Sequence, residues 1–124
     1  MRTVAADPES SAIVKHSPVA EVGEMIVVSV TIDFGSAGRD ALEATVTLAD
    51  RSTVFDALRI AVPVITSPRF GMDHFVEEID GIRNDFAADG GWHFEVNGYR
   101  SNVPAERYLV KDRDWIKWLY LSES

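Results

Sequence analysis

Residues 92–99 read WHFEVNGY, and this stretch decides the fold. Trp92, Phe94 and Val96 alternate with polar residues, the spacing that places successive side chains on opposite faces of a β-strand. An Asn-Gly pair follows at once, and these residue types tolerate the positive φ angles that a type I′ turn needs. The stretch therefore predicts a strand with Trp92 and Phe94 in the core, running into a two-residue hairpin turn.

The composition sets limits on the partners of the chain. Its 124 residues suit one domain, and a hydrophobic content of 46% is enough for a core. The formal net charge of −8 argues against nucleic acid and against anionic membrane surfaces, because both attract clustered Lys and Arg. The chain has no cysteine, which excludes disulfides, thiolate metal sites and cysteine nucleophiles.

The chain carries no recognisable membrane or export signal. No apolar run approaches the ~20 residues of a membrane span, so we expect no membrane insertion. The first residues lack the apolar core of a signal peptide. We expect either a cytoplasmic protein or a mature form whose signal has been removed.

Two strands and a helix are predicted before the deciding stretch. Residues 25–34 and 42–48 alternate between apolar and polar side chains and are expected to pair as an antiparallel hairpin. Ser52 or Thr53 suits the N-cap of a short helix over 53–62, and Pro63 ends it. Its apolar stripe consists of Val54, Ala57, Leu58 and Ala61.

The second half of the chain predicts several short strands. Residues 64–73 are interpreted as irregular because of Pro68 and Gly71, and residues 75–79 form a strand that ends at Asp80-Gly81. The last strand, 115–121, is apolar on both faces, as a central strand is. The order of elements predicts an α+β fold, a β-grasp (ubiquitin-like) mixed sheet of four to five strands packed on one short helix. The first and last strands of that sheet are expected to be adjacent and parallel.

The chain also resembles a known family. Residues 52–58, 76–84, 91–98 and 108–120 are similar to a bacterial domain-of-unknown-function family related to the C-terminal β-grasp domain of transcobalamin and intrinsic factor. The family usually carries a Gly-Asp turn before the last strand, and Arg113 stands in place of that Gly, which predicts a different turn. We therefore divide the chain into a flexible N-terminal tail, 1–22, and a transcobalamin-C-terminal-like domain, 23–124.

The resemblance implies a binding or scaffolding role in an exported or surface-attached protein. It implies cobalamin only weakly, because in the cobalamin carriers this domain closes on the vitamin from a separate helical barrel. No such barrel is present in this sequence. A lone domain of this kind would leave much of so large a ligand exposed.

His93 and Glu95 form the only pair that suggests catalytic or metal chemistry. They share the strand face opposite Trp92, and a neighbouring strand carrying His74 would supply a third donor. The alternative is a pair of exposed polar strand residues. No G-x-S-x-G elbow is present, and Glu77 and Glu78 point to opposite faces. We therefore assign no catalytic and no metal-binding residue.

Two surfaces remain as candidates for contact with a partner. Trp115 shares a side of the last strand with Lys117, so it is expected to lie on the uncovered face of the sheet, unless the tail or Phe70 covers it. Tyr99, Arg100 and Asn102 follow the hairpin turn, where binding residues are common. With His93 and Glu95, these residues are the candidate ligand- or partner-binding set.

Three functions follow from these observations. The first is a non-catalytic binding or protein-interaction module, monomeric or weakly oligomeric, with a protein or a small molecule as partner. The second is a binder of corrinoids (cobalamin) or of another small ligand, and cobalamin is the one cofactor that the resemblance suggests. The third is a metal-dependent enzyme using His93, Glu95 and His74.

Overall fold

The computed structural model describes residues 2–5 and 24–122. These residues form an α+β fold with two sheets and one short α-helix. The elements are β1 (Arg2–Ala5), β2 (Met25–Asp33), β3 (Leu42–Ala49), α1 (Val54–Ala61), β4 (Val64–Arg69), β5 (Met72–Ile79), β6 (Ile82–Arg83), β7 (Gly90–Val96), β8 (Tyr99–Arg100) and β9 (Trp115–Ser122), with short 3-10 helices at Gly35–Ala37 and Phe86–Ala88. No helix in the described part of the chain has the length and apolar character that a bilayer crossing requires.

The main sheet has six strands in the order β1-β3-β2-β9-β7-β8. β2 and β3 pair antiparallel, and β2 and β9 pair in parallel at the centre of the sheet, as the sequence predicted. β4, β5 and β6 form a second, three-stranded sheet. The prediction of a single sheet of four to five strands was therefore wrong, because the segment after the helix forms its own sheet instead of joining the first.

The N-terminal segment contributes one strand. Arg2–Ala5 pair in parallel with β3 over Ala44–Thr47, although the sequence predicted a flexible tail here. A four-residue strand has too few residues for alternation to show, and its partner lies far along the chain. Most of the predicted tail, residues 6–22, lies outside the described residues.

The segment predicted to be irregular is a β-hairpin. β4 and β5 pair antiparallel around Phe70-Gly71, whose φ angles of 54° and 77° are those of a type I′ turn. Pro68 is tolerated because β4 is an edge strand whose register shifts on both sides of Thr66–Ser67. The predicted Asn97-Gly98 turn also has positive φ at both residues, 54° and 89°.

The helix begins where its capping residues predicted. The Thr53 hydroxyl accepts a hydrogen bond from the Asp56 N–H (3.1 Å), and the Asp56 carboxylate accepts one from the Thr53 N–H (2.9 Å). This capping box satisfies two backbone donors at the N-terminus of α1. The predicted apolar stripe is buried in full, namely Val54, Ala57, Leu58 and Ala61.

The core lies on the helix-covered face of the main sheet. Alternate residues of β2 are buried, and Ile116, Trp118 and Tyr120 of β9 are buried beside them. Trp92 and Phe94 are half-buried and pack against this core, with the Trp92 ring 5.7 Å from Phe34 (ring centroids). Trp92 and Phe94 therefore lie on the core side of the sheet, as the alternation in 92–96 predicted.

The turn before β9 keeps a glycine-like conformation without glycine. Arg113 has φ 73°, in the left-handed region that favours glycine. Its N–H donates to the Val27 carbonyl oxygen (2.7 Å), which holds the turn against the start of β2. The presence of Arg in place of Gly has therefore not removed the positive φ from this turn.

Candidate functional site

The two sheets meet along β5 and β7, and Asn84 joins them. Its side-chain amide donates to the Val76 carbonyl oxygen (2.9 Å) and accepts from the Trp92 N–H (2.9 Å). The Trp92 indole donates to the Ile82 carbonyl oxygen (2.8 Å). These bonds fix the start of β7 against the second sheet and hold two walls of a cleft in place.

A loop over residues 101–107 forms the third wall. The Glu106 carboxylate accepts from the N–H groups of Asp73 (3.2 Å) and His74 (2.7 Å), so it ties the loop to β5. The Phe55 N–H donates to the Ala105 carbonyl oxygen (3.1 Å), which ties the loop to α1 as well. The loop is therefore held by hydrogen bonds to both β5 and α1.

The space between these walls, which we call the aromatic cleft, has a volume of about 290 Å³. Its lining is mainly apolar and aromatic, with polar side chains both on the strands and on the loop. The lining residues are Met72, His74, Phe75, Val76, Trp92, His93, Phe94, Arg100, Ser101, Asn102, Val103, Pro104, Ala105 and Trp118. Apolar walls with few polar groups are typical of small-molecule sites, and this volume is at the lower end of their range, ~300–1,000 Å³.

Trp118, one of the lining residues, has a buried polar atom. The residue is 3% exposed, and its ring centroid lies 5.2 Å from that of Phe94. Among the residues that the structure describes, its Nε1 is the one buried side-chain polar atom without a hydrogen-bond partner. Buried donors are nearly always paired, so this indole N–H is a group in need of an acceptor.

The cleft brings together three of the six predicted site residues. His93, Arg100 and Asn102 belong to its lining. Tyr99 lies at the hairpin, 78% exposed and outside the lining, and Glu95 pairs across the sheet with Lys117. The predicted set is thus divided between the cleft and other surfaces.

Trp115 belongs to the other face of the main sheet. It stands three positions before Trp118 on β9, so the two side chains point to opposite faces. Trp115 is 44% exposed, and its indole donates to the Thr31 hydroxyl (3.0 Å). Phe70 does not cover it but contacts Phe75 (5.0 Å between ring centroids). The other alternative was that the N-terminal tail covers Trp115. Except for β1, the residues of that tail lie outside the described range.

The proposed metal triad is not assembled. Within residues 2–5 and 24–122, no group of three or more His, Asp or Glu side chains is placed to hold a metal ion. The His74 ring instead stacks on Phe55, with centroids 5.2 Å apart and planes 11° from parallel. His93, Glu95 and His74 therefore do not form the metal site that the third hypothesis requires.

A buried carboxylate on the second sheet was not foreseen. Glu77 is 8% exposed and accepts hydrogen bonds from the Ser67 hydroxyl and from the Arg69 guanidinium (3.1 Å). The hydrogen bond from Ser67 is the largest cause of a lowered Glu77 pKa, burial opposes it, and Arg69 and Arg83 lower it further. Glu77 is therefore held as a carboxylate.

The same arginine is surrounded by aromatic rings. The Arg69 guanidinium lies 4.9 Å from the centroid of Phe70, 5.8 Å from that of Phe75 and 5.3 Å from that of Phe86. Cation–π attraction of this kind stabilises a cation against the faces of the rings. The Ser-Pro-Arg-Phe-Gly run at 67–71 is the sequence signal for this cluster, and it was missed because the segment was interpreted as irregular.

The model of a protein family matches this chain over residues 51–122, and that family is described as "Domain of unknown function (DUF4430)". The chain belongs to the DUF4430 family. This assignment confirms the predicted resemblance to a bacterial domain-of-unknown-function family. The comparison with curated proteins found no significant match.

Two solved structures are similar to this DUF4430 chain. Haptocorrin in complex with Cbi has a TM-score of 0.68 at 12% identity, covering 90% of this chain and 28% of the haptocorrin chain. A protein from Ruminococcus gnavus ATCC 29149, for which metal binding is only suggested, has a TM-score of 0.59 at 17% identity, covering 80% of this chain and 99% of that one. At such identities the likeness establishes the fold alone.

Proposed function

We propose that this DUF4430 chain is a non-catalytic ligand-binding module of the β-grasp type, and that the aromatic cleft is its site. The observation that carries the proposal is a preformed, mainly apolar cleft between the two sheets and the 101–107 loop. The parallel pairing of β2 with β9 beside α1 supports the β-grasp assignment.

The chemistry of the lining favours binding over catalysis. None of the described residues in the lining is an Asp, Glu, Lys or Cys. Its one hydroxyl, on Ser101, accepts from the Val103 N–H (2.9 Å) and so serves the fold of the loop. The lining does include His74 and His93, but no carboxylate accompanies them there, and the His74 ring stacks on Phe55. Acid–base or nucleophilic catalysis usually pairs a base with such an orienting group.

A cleft-filling substitution tests the site directly. Val103→Trp puts a large ring on the exposed loop at the cleft, and it is expected to abolish the binding of small aromatic and amide fragments. Binding is measured from amide chemical-shift changes of the ¹⁵N-labelled protein across a fragment library. In wild type, the shifts should cluster on the cleft residues.

The matched control is Leu109→Trp. Leu109 is similarly exposed but is not part of the cleft lining, so this variant should keep fragment binding. Fragments that bind Val103→Trp as well as they bind wild type, or that cluster around Trp115, would show that the site lies elsewhere.

A corrinoid is the second candidate ligand, and the likeness to haptocorrin over 90% of this chain favours it. The cleft, at about 290 Å³, accommodates one group of so large a molecule and not the whole. A corrinoid held on one face by this domain is expected to bind with micromolar or weaker affinity, since much of its surface stays in water.

Equilibrium dialysis against cobinamide, at protein concentrations of tens to hundreds of micromolar, measures this affinity. Saturable 1:1 retention that is lost in Val103→Trp and kept in Leu109→Trp is the expected result. If cobinamide is retained no better than by an unrelated acidic protein, corrinoids are excluded as ligands. The cleft could then still bind smaller ligands.

A further inference from the structure

A second pocket lies on the face of the main sheet that points away from the core, and we call it the Trp115 pocket. Its volume is about 310 Å³. The lining residues are Ser29, Val30, Thr31, Glu43, Ala44 and Trp115. Val30 and Ala44 are buried on the core side, so a ligand in this pocket meets the side chains of the other four residues.

The Trp115 ring is held across the neighbouring strand. Trp115 pairs in register with Ser29 of β2, and its indole nitrogen donates to the hydroxyl of Thr31, two residues further along that strand (3.0 Å). Trp115 remains 44% exposed although this polar atom is paired, so most of its exposed surface belongs to the ring. An indole fixed in this way is preorganised to receive a ligand on its face.

Glu43 brings a negative charge to the same pocket. It pairs with Thr31 across β2 and β3, and side chains in such a pair have Cβ atoms about 5 Å apart. Glu43 is exposed, and its side chain forms no ion pair or hydrogen bond with any residue that the structure describes. The carboxylate and the indole therefore flank Thr31 from its two sides, and the carboxylate is available to a ligand.

The positive charge nearest along β9 is already accompanied by carboxylates. Lys117 points to the same face as Trp115, two residues further along. Its ammonium lies 4.0 Å from the Asp33 carboxylate, and Glu95 is its partner across β7 and β9. Glu43 adds a further negative charge, in a chain whose formal net charge is −8. The electrostatic field at this pocket therefore favours a cation over an anion.

A carboxylate and the face of an indole attract the same kind of group. Tryptophan is the best of the aromatic side chains for a cation–π contact, and weakly hydrated quaternary ammonium groups are typical ligands of such rings. We propose that the Trp115 pocket binds a quaternary ammonium group, which lies on the Trp115 ring beside the Glu43 carboxylate. The group can belong to a free small molecule or to a lipid headgroup. This site is separate from the aromatic cleft, and the inference does not rest on the proposed function.

The test compares two probes of the same shape. Choline carries a positive nitrogen, whereas 3,3-dimethyl-1-butanol has a neutral carbon in its place. In protein labelled with ¹⁵N at tryptophan, the Trp115 indole signal is the one that disappears in Trp115→Leu, and its shift measures binding of each probe. At low ionic strength choline is expected to bind roughly three- to tenfold more tightly than the alcohol, and salt should reduce that preference.

Three variants locate the preference. Glu43→Gln keeps the shape of the side chain and removes its charge, so choline should bind more weakly while the alcohol is unaffected. Trp115→Leu should abolish binding of choline, followed by the backbone amide shifts of Ser29 and Thr31. Glu95→Gln is the matched control, because it removes a carboxylate from the same face but outside the pocket, and it should keep the preference.

Sedimentation with phosphatidylcholine vesicles separates the two sources of the group. Sedimentation that Glu43→Gln weakens would identify a lipid headgroup, and choline binding without sedimentation would identify a free small molecule.

Equal affinities for choline and the alcohol would overturn the proposal. It is also contradicted if Glu43→Gln and Glu95→Gln weaken choline equally, or if glucose moves the Trp115 signal at lower concentration than choline does. Each of these outcomes leaves the aromatic cleft to be tested by its own variants.

Discussion

Replacing Gly35 with alanine is expected to lower the free energy of unfolding by about 2–5 kcal/mol. Gly35 has φ 45°, where an L-residue with a Cβ is strained. A Cβ at this position would also fall on the carbonyl oxygen of Tyr120, which is backbone of the central strand β9 and has little freedom to move. The two costs add, because the strain is local and the clash involves a different part of the chain.

Urea unfolding followed by tryptophan fluorescence measures this loss, and Gly38→Ala is the matched control. Gly38 also has a positive φ, 80°, but a Cβ there would meet nothing within 4 Å. We expect Gly38→Ala to cost only about 1–2 kcal/mol, from the left-handed backbone alone. If the two variants lose equal amounts of unfolding free energy, the β9 backbone must shift to accommodate the added methyl group.

Glu77→Gln is expected to lower the free energy of unfolding by about 1–3 kcal/mol at neutral pH. The buried carboxylate is paired with Ser67 and Arg69, and loss of its charge leaves Arg69 without its ion-pair partner. The Arg69 side chain is 42% exposed, so we place the cost below that of a fully buried pair.

The pH dependence of this loss has a definite sign. The Glu77 pKa is lowered from its ordinary value of 4.5, first by the hydrogen bond from Ser67 and then by Arg69. The charged form therefore contributes its full stability above pH 4.5, and this contribution is lost as pH falls through the lower pKa of the folded state. The difference between wild type and Glu77→Gln should be largest at pH 5–7 and should shrink below about pH 4.5.

Glu78→Gln is the control for this series. Glu78 is the next residue along β5, and its ion pair with Arg83 (3.3 Å) is more exposed. A surface pair of this kind contributes about 0–1 kcal/mol. A Glu77→Gln variant that behaves like Glu78→Gln from pH 7 to pH 3 would contradict the assigned role of the buried carboxylate.

Local signals were enough to predict much of the fold. Alternation in β2, β3, β7 and β9, the capping residues of α1 and the Asn97-Gly98 turn all act over a few residues. The β4–β5 hairpin was missed for a physical reason. Phe70 is an uncommon residue for the first position of a type I′ turn, and Pro68 is compatible with a strand only at an edge, which the sequence alone does not reveal.

The candidate site was less predictable because it depends on contacts between distant segments. Arg100 and Asn102 were predicted from their place after the hairpin turn, and His93 from its strand face shared with Glu95. The cleft exists only because Asn84 joins the two sheets and Glu106 holds the loop on β5. The place of Trp118 in the lining also follows from such contacts, because Trp118 and Phe94 pair across β9 and β7.

The parallel pairing of β2 with β9 has a consequence for the timing of folding. Ser29 pairs with Trp115, so most of the chain must be made before the central strand of the main sheet can take its place. Closing so long a loop is entropically costly, and non-local strand pairing of this kind slows folding. Until β9 arrives, β2 and β7 present unpaired edges to other chains, and a growing or truncated polypeptide is at its most prone to aggregate in that interval.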